Sequence, residues 1–230
     1  MIYVMSDIHG NQRRFDSVLR QIDLRPEDTL YVLGDAIDRH PDGVRLLRRI
    51  MAMANARMLL GNHEYMMLRA LGHPYDDNAD TGTALAHWYR NGGKVTHDHW
   101  KRIRKTTRQQ ILAFLLELPL QYVVEAGGKT YLLVHAAPAE AFDHDPRYFN
   151  STHFAVWKRW ETENDMPGGQ MMVFGHSTTN HYQTCIPMEV WYGKSAIDID
   201  CGSGWPEGSG GRLACLRLDD GKIFYSEEGM

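Results

Sequence analysis

Three apolar runs open the chain, and each ends on a polar side chain at a nearly constant interval. The runs are MIYVMSD, DTLYVLGD and ARMLLGN, and their ends Asp7, Asp35 and Asn62 lie 28 and 27 residues apart. Helical spacing fills the intervals, with Phe15, Val18, Leu19 and Ile22 in the first and Val44, Leu47, Ile50 and Met51 in the second. Short β-rich runs alternating with such helices predict βαβ units and parallel strand pairing. In an open α/β sheet, ligands gather outside the carboxyl ends of the strands. Asp7, Asp35 and Asn62 are therefore expected to meet in space.

The remainder follows a different pattern. Residues 72–118 begin with a polar stretch, GHPYDDNADTG, and continue with helical segments TALAHWYRN and TTRQQILAFLLEL around a Gly-Gly-Lys stop. This region reads as a helical cap inserted in a single domain spanning 1–230. Strand signals then follow in succession: QYVVEAGGKTYLLVHAAP as a hairpin with a Gly-Gly turn, MMVFGHS, SAIDIDCGS, and LACLRLDDGKIFYSE with a turn at Asp220-Gly221. Two sets of strands with helices outside them predict a layered α/β sandwich. With 43% hydrophobic residues, the chain can fill such a core.

Charge and targeting narrow the function. A net charge of −4 offers no general basic face, so no nucleic-acid duplex is expected as a partner. No stretch approaches the ~20 apolar residues of a membrane helix, and no cleavable leader precedes the first strand. A cytoplasmic protein without a membrane partner is the expectation. Cys185, Cys201 and Cys215 form an odd set without a C-x-x-C pair, so reduced thiols are expected.

The strand ends carry the chemistry. They supply Asp7-Ile8-His9-Gly10, Gly34-Asp35-Ala36-Ile37-Asp38-Arg39 and Gly61-Asn62-His63-Glu64, and later strands end at His135 and His176. Carboxylate, imidazole and amide oxygen form a ligand set for borderline divalent ions such as Mn²⁺, Fe²⁺ or Zn²⁺. One aspartate after a strand could simply cap a helix. Caps do not account for six such residues, three of them beside a glycine.

These three motifs, with His135, the FGHS of His176 and the Trp157-x-Arg159 of VWKRW, resemble the phosphoprotein phosphatase branch of the metallophosphoesterases. The length is similar to that of the short bacterial and phage serine/threonine phosphatases. The resemblance implies a four-layer αββα sandwich holding two divalent ions, with manganese expected and iron or zinc as alternatives. It further implies that Asp7, His9 and Asp35 hold one ion, and that Asp35, Asn62, His135 and His176 hold the other. His63 would be the general acid, oriented by Asp38, since the imidazole's ordinary pKa lies near working pH. Arg39 and Arg159 would grip phosphate oxygens. Glu64 would belong to the following helix or support the site from behind.

The implied activity is hydrolysis by metal-activated water, with a phosphoserine or phosphothreonine protein or peptide as substrate. Dinucleoside polyphosphates such as diadenosine tetraphosphate are the alternative substrate. A phospho-ligand binding module without catalysis is the alternative of another class. His40 stands where many relatives have glycine, Leu60 where many eukaryotic ones have arginine, and Ala136 where glycine is frequent. His97, His99 and the basic run at 101–108 are expected at the solvent. Tyr75, His87, Trp88 and Tyr89 could border the cleft or pack the helices, and the glycine-rich loop 201–211 could line it through Trp205.

Overall fold

A computed structural model describes residues 1–73, 81–161, 166 and 169–227. The expected alternation is present. β1 (Ile2–Met5), α1 (Gln12–Ile22), β2 (Thr29–Val32), α2 (Gly43–Ala52), β3 (Ala56–Met58) and α3 (Asn62–Ala70) succeed one another. The region expected to form a helical cap holds α4 (Thr81–Arg90), α5 (Lys94–Trp100) and α6 (Lys105–Leu116). There follow β4 (Gln121–Ala126), β5 (Lys129–Val134), α7 (Ser151–Trp157), β6 (Met171–Phe174), β7 (Trp191–Tyr192), β8 (Ala196–Asp198), β9 (Ala214–Arg217) and β10 (Ile223–Tyr225). The Gly127-Gly128 and Asp220-Gly221 turns fall between β4 and β5 and between β9 and β10, where the turn chemistry placed them.

The strands form two mixed five-stranded sheets, in the orders β10-β9-β1-β2-β3 and β4-β5-β6-β8-β7. β1, β2 and β3 run parallel, as do β5, β6 and β8. Alternation along each strand sorts the side chains into layers. Tyr3, Met5, Leu30 and Val32 face α1 and α2 through Phe15, Val18, Leu47 and Ile50. Val4, Leu33 and Leu59 turn the other way, into a layer shared with Leu133, Val173, Ile197 and Leu216 from both sheets. Leu132, Val134, Met172 and Phe174 cover the far side of the second sheet, under Trp160, Tyr182 and Trp191.

The helices follow their apolar stripes. In α1 the buried Phe15, Val18 and Ile22 share one face, and the side chain of Asn11 caps the first turn by accepting from Arg14 N (3.1 Å). α3 is different: Asn62 through Leu68 are all buried, polar side chains included. The cap helices add Trp88, Trp100, Ile111 and Leu115 to the same apolar cluster that backs the first sheet. α5 was not evident in the sequence, because Lys94–Trp100 is short and mostly polar. Tyr75 lies outside the described residues.

Leu133 is fully buried between the sheets. Leu133→Ala should destabilise the protein by about 3 kcal/mol through lost transfer energy and a residual cavity. The check is a lower denaturant midpoint at unchanged slope; a loss below ~1 kcal/mol would mean that the layer collapses to fill the space.

Candidate metal centre and phosphate cleft

The loops after β1, β2, β5 and β6, together with the first turn of α3, converge at one point. Their backbone is strained there. Eight non-glycine residues have positive φ among the described residues, and six of them are Asp7, His9, Asp35, Asp38, Arg39 and His176. Each costs on the order of 1–3 kcal/mol, which the surrounding hydrogen bonds must offset. Glu64 supplies much of that support. Its carboxylate accepts from the backbone N–H groups of Asp35 (2.8 Å), Ala36 (3.0 Å) and Ile37 (3.3 Å). Burial pushes the Glu64 carboxyl up to about 7, against those three donors. Gly61 is required beside it, because a Cβ there would lie 2.3 Å from Asp35 Oδ1.

Asp35 stands at the centre. Its Oδ1 accepts from His63 N (2.9 Å), a first-turn donor of α3, and lies 3.7 Å from His135 Nε2. Its Oδ2 lies 3.7 Å from His9 Nε2 and 3.8 Å from His63 Nε2. Asp7, Asp35 and His135 present ligand atoms within 4.8 Å of one another, and so do His9, Asp35 and His63.

The histidine tautomers point to a cation. His9 Nδ1 donates to the Ile37 carbonyl (3.1 Å), and His135 Nδ1 donates to the Leu33 carbonyl (2.7 Å). The backbone of Trp157 likewise bonds the His176 ring. Each imidazole then turns a lone pair inward. Those lone pairs meet acceptors: His135 Nε2 is 2.9 Å and His176 Nδ1 3.0 Å from the same Asn62 Oδ1. His9 Nε2 is buried with no hydrogen-bond partner. Burial pushes Asp35 well up, helped by the charges of Asp7 and Glu64. Burial also pushes His9, His135 and His176 down. A carboxylate that burial holds back from ionising and neutral imidazoles with converging lone pairs fit a divalent cation, which would stabilise the ionised carboxylate and the neutral rings.

Beside this centre, His63 Nδ1 donates to Asp38 Oδ2 at 2.6 Å. Its Nε2 lies 3.5 Å from Arg39 Nη2, on the side of the ring away from Asp38. Arg39, Arg159, His176, Asn180, Asp200 and Trp205 line a cleft of about 410 Å³. The loop 201–211 therefore does line the site: Gly204 packs on His9 and Arg39, and Arg14 holds the loop by donating to the Ser203 carbonyl (2.8 Å).

Every residue singled out for metal, acid or phosphate duty comes to this region. Several others there were given no such duty, among them Trp88, which was expected to border the cleft or pack the helices. Asp198 and Asp200 are buried carboxylic groups pushed well up by burial. Trp88 borders the site from behind by donating to Asp38 Oδ2 (2.7 Å). His97 and His99 are half-buried instead of exposed; the His97 ring pairs with Tyr89 Oη (2.7 Å).

Comparison with known proteins agrees with the geometry. Residues 1–193 match the calcineurin-like phosphoesterase family. A symmetrical bis(5'-nucleosyl)-tetraphosphatase of Acidovorax sp. (strain JS42) is 33% identical over 140 residues, 59% of this chain and 43% of that protein. The one from Proteus mirabilis (strain HI4320) is 29% identical over 197 residues, 80% of this chain and 68% of that protein. The chain thus aligns with less than half the length of the first of these relatives. In structure it is similar to a candidate diadenosine tetraphosphatase, with TM-score 0.63 and 17% identity over 100% of this chain and 93% of that one. A Saccharomyces cerevisiae protein serine/threonine phosphatase shares the fold at TM-score 0.58 and 14% identity, covering 100% of this chain and 80% of that one. With its sheets, its strand-end ligand set and a family match over most of its length, the chain belongs to the calcineurin-like phosphoesterases.

Proposed function

We propose that this hydrolase cleaves the phosphoanhydride chain of dinucleoside polyphosphates. The alignment with a symmetrical tetraphosphatase over 80% of the chain carries the reading. It favours the dinucleotide over the phosphoprotein substrate that the motifs first suggested. The cleft suits it too, because Trp205 offers an aromatic face for a base beside the Arg39 and Arg159 guanidiniums. Its volume lies within the range of small-molecule sites.

Asp7, His9 and Asp35 would hold one divalent ion, and Asp35, Asn62, His135 and His176 the second, with manganese, iron or zinc as the candidates. When bound, the pair supplies Lewis-acid charge at phosphorus and a water of lowered pKa. Arg39 and Arg159 hold phosphate oxygens and offset their charge. His63 Nε2 delivers a proton to the departing oxygen as the P–O bond breaks. Asp38 holds the opposite ring nitrogen, so that Nε2 is turned toward Arg39. A phosphoserine or phosphothreonine substrate is the second reading. Its support is the Trp157-x-Arg159 element, in which the Trp157 ring packs edge-on against His176 (5.7 Å).

Metal-loaded protein given diadenosine tetraphosphate or a phosphoserine/phosphothreonine peptide decides between them. The dinucleotide should turn over faster and yield two nucleoside diphosphates, and Trp205→Ala should weaken its KM about tenfold with little effect on p-nitrophenyl phosphate. Faster peptide hydrolysis would overturn the proposal. Asp35→Asn should remove metal and lower turnover by at least ~10³, since one carboxylate serves both ions. Wild-type metal content in that variant, measured by elemental analysis, would refute the bridging role.

A further inference from the structure

We propose that Trp88, Thr96 and the Gly92-Gly93 turn, all in the cap region, form a positioning unit that sets the geometry of the His63–Asp38 acid. This rests on the reading of His63 as the group that protonates the leaving oxygen. The unit grips one dipeptide, Asp38-Arg39, from three sides. Trp88 Nε1 donates to Asp38 Oδ2 (2.7 Å), the oxygen that also accepts from His63 Nδ1 (2.6 Å). Thr96 Oγ1 accepts from the backbone N–H of Asp38 (3.0 Å). The Gly92 carbonyl accepts from the backbone N–H of Arg39 (3.2 Å).

Three observations make this more than ordinary helix packing. First, Asp38 and Arg39 both hold left-handed backbone, with φ of 73° and 65°. Two consecutive L-residues in that region keep it only if their surroundings impose it, and both of their N–H groups are bound by the cap. Second, Asp38 is fully buried, and its other oxygen, Oδ1, has no hydrogen-bond partner. Both donors to the carboxylate therefore converge on Oδ2, and a buried carboxylate loses much when one of its few donors goes. Third, the turn is shaped for the indole. A Cβ at Gly93 would lie 2.2 Å from Trp88 Nε1, so a glycine is needed for the N–H to reach Asp38. The ring itself is fully buried and packs against His97 (5.4 Å between centroids).

The chemical consequence is directional. With Trp88 in place, Oδ2 is fixed, the His63 ring plane follows it, and Nε2 stays between Arg39 and Asp35. Without the indole N–H, the carboxylate can rotate about its side-chain bonds toward other partners and take the ring with it. Proton delivery then suffers most where the leaving oxygen most needs a proton. Metal ligation, which involves neither Trp88 nor Thr96, stays as it was.

The test measures steady-state kinetics of metal-loaded Trp88→Phe, Thr96→Val, His63→Asn and Trp88→Phe/His63→Asn on phenyl, p-nitrophenyl and 2,4-dinitrophenyl phosphate. His63→Asn should lose ~10³ in kcat on phenyl phosphate and far less on the dinitrophenyl ester, whose leaving group needs no proton. Trp88→Phe, which keeps the ring bulk, should lose about tenfold on phenyl phosphate and under about twofold on the dinitrophenyl ester, with KM and metal content unchanged. In the His63→Asn background the same change should cost nothing further. Thr96→Val should reproduce the pattern at lower amplitude, and it decides the matter if Trp88→Phe does not fold. A loss equal across leaving groups, or one that persists without His63, overturns the positioning role. A uniform loss in His63→Asn itself would instead overturn the acid assignment on which the proposal rests.

Discussion

The burial of Asp35 is the constraint from which the rest of the site follows. A carboxylate out of water needs donors or a cation. Asp35 has a donor at one oxygen, the α3 N-terminus, and three imidazoles within 3.8 Å of the pair, which with it frame a place for a cation. Its loop would relax out of the left-handed region without the Glu64 carboxylate, which binds three consecutive N–H groups of that loop. The helix that supplies Glu64 is the same one that supplies Asn62 and His63, so one nine-residue element fixes a candidate ligand, the candidate acid and the loop clamp together. That explains why α3 is buried on all sides and lacks the polar outer face of α1 and α2.

The fold was legible wherever burial is one-sided. Short apolar runs and helical spacing gave the first three βα units, and the Gly-Gly and Asp-Gly pairs gave the hairpin turns. β7 was not legible, because a strand of two residues leaves almost no period to read. At the site, ionisable groups at strand ends were conspicuous by their chemistry. Trp88 was legible only as a residue that could border the cleft or pack the helices, and Thr96 not at all, since an indole and a hydroxyl in a helical stretch look like packing and surface. Their meaning lies in which oxygen and which N–H they touch, and that depends on how the cap docks onto the loop after β2. Asp198 and Asp200 were passed over for a related reason: within SAIDIDCGS they alternate as outward-facing strand residues do, yet both are buried.

The cap region therefore contributes to more than the rim. α4, α5 and α6 place Trp88, Trp100, Ile111 and Leu115 in the apolar cluster behind the first sheet, while the turn before α5 holds the Arg39 N–H and Thr96 within α5 the Asp38 N–H. Changes in the cap that shift this docking reach the chemistry through the backbone of two strained residues. The loop 201–211 does the complementary job from the other side, packing Gly204 on His9 and Arg39.

The place of β9 in the first sheet has a kinetic consequence. β1 pairs on one side with β2, close in sequence, and on the other with β9, and the Ile2 N–H donates to Asp219 across 217 positions. The strand that launches the Asp7 loop is thus an unprotected edge until a partner from the far end of the domain arrives. Closing so long a loop is slow, and an open edge invites pairing with other chains. On the ribosome, the βα units can condense early, but the first ligand loop stays loosely held until β9 is made. Expression yield and solubility should thus depend on chaperoning during that interval more than on the stability of the finished enzyme.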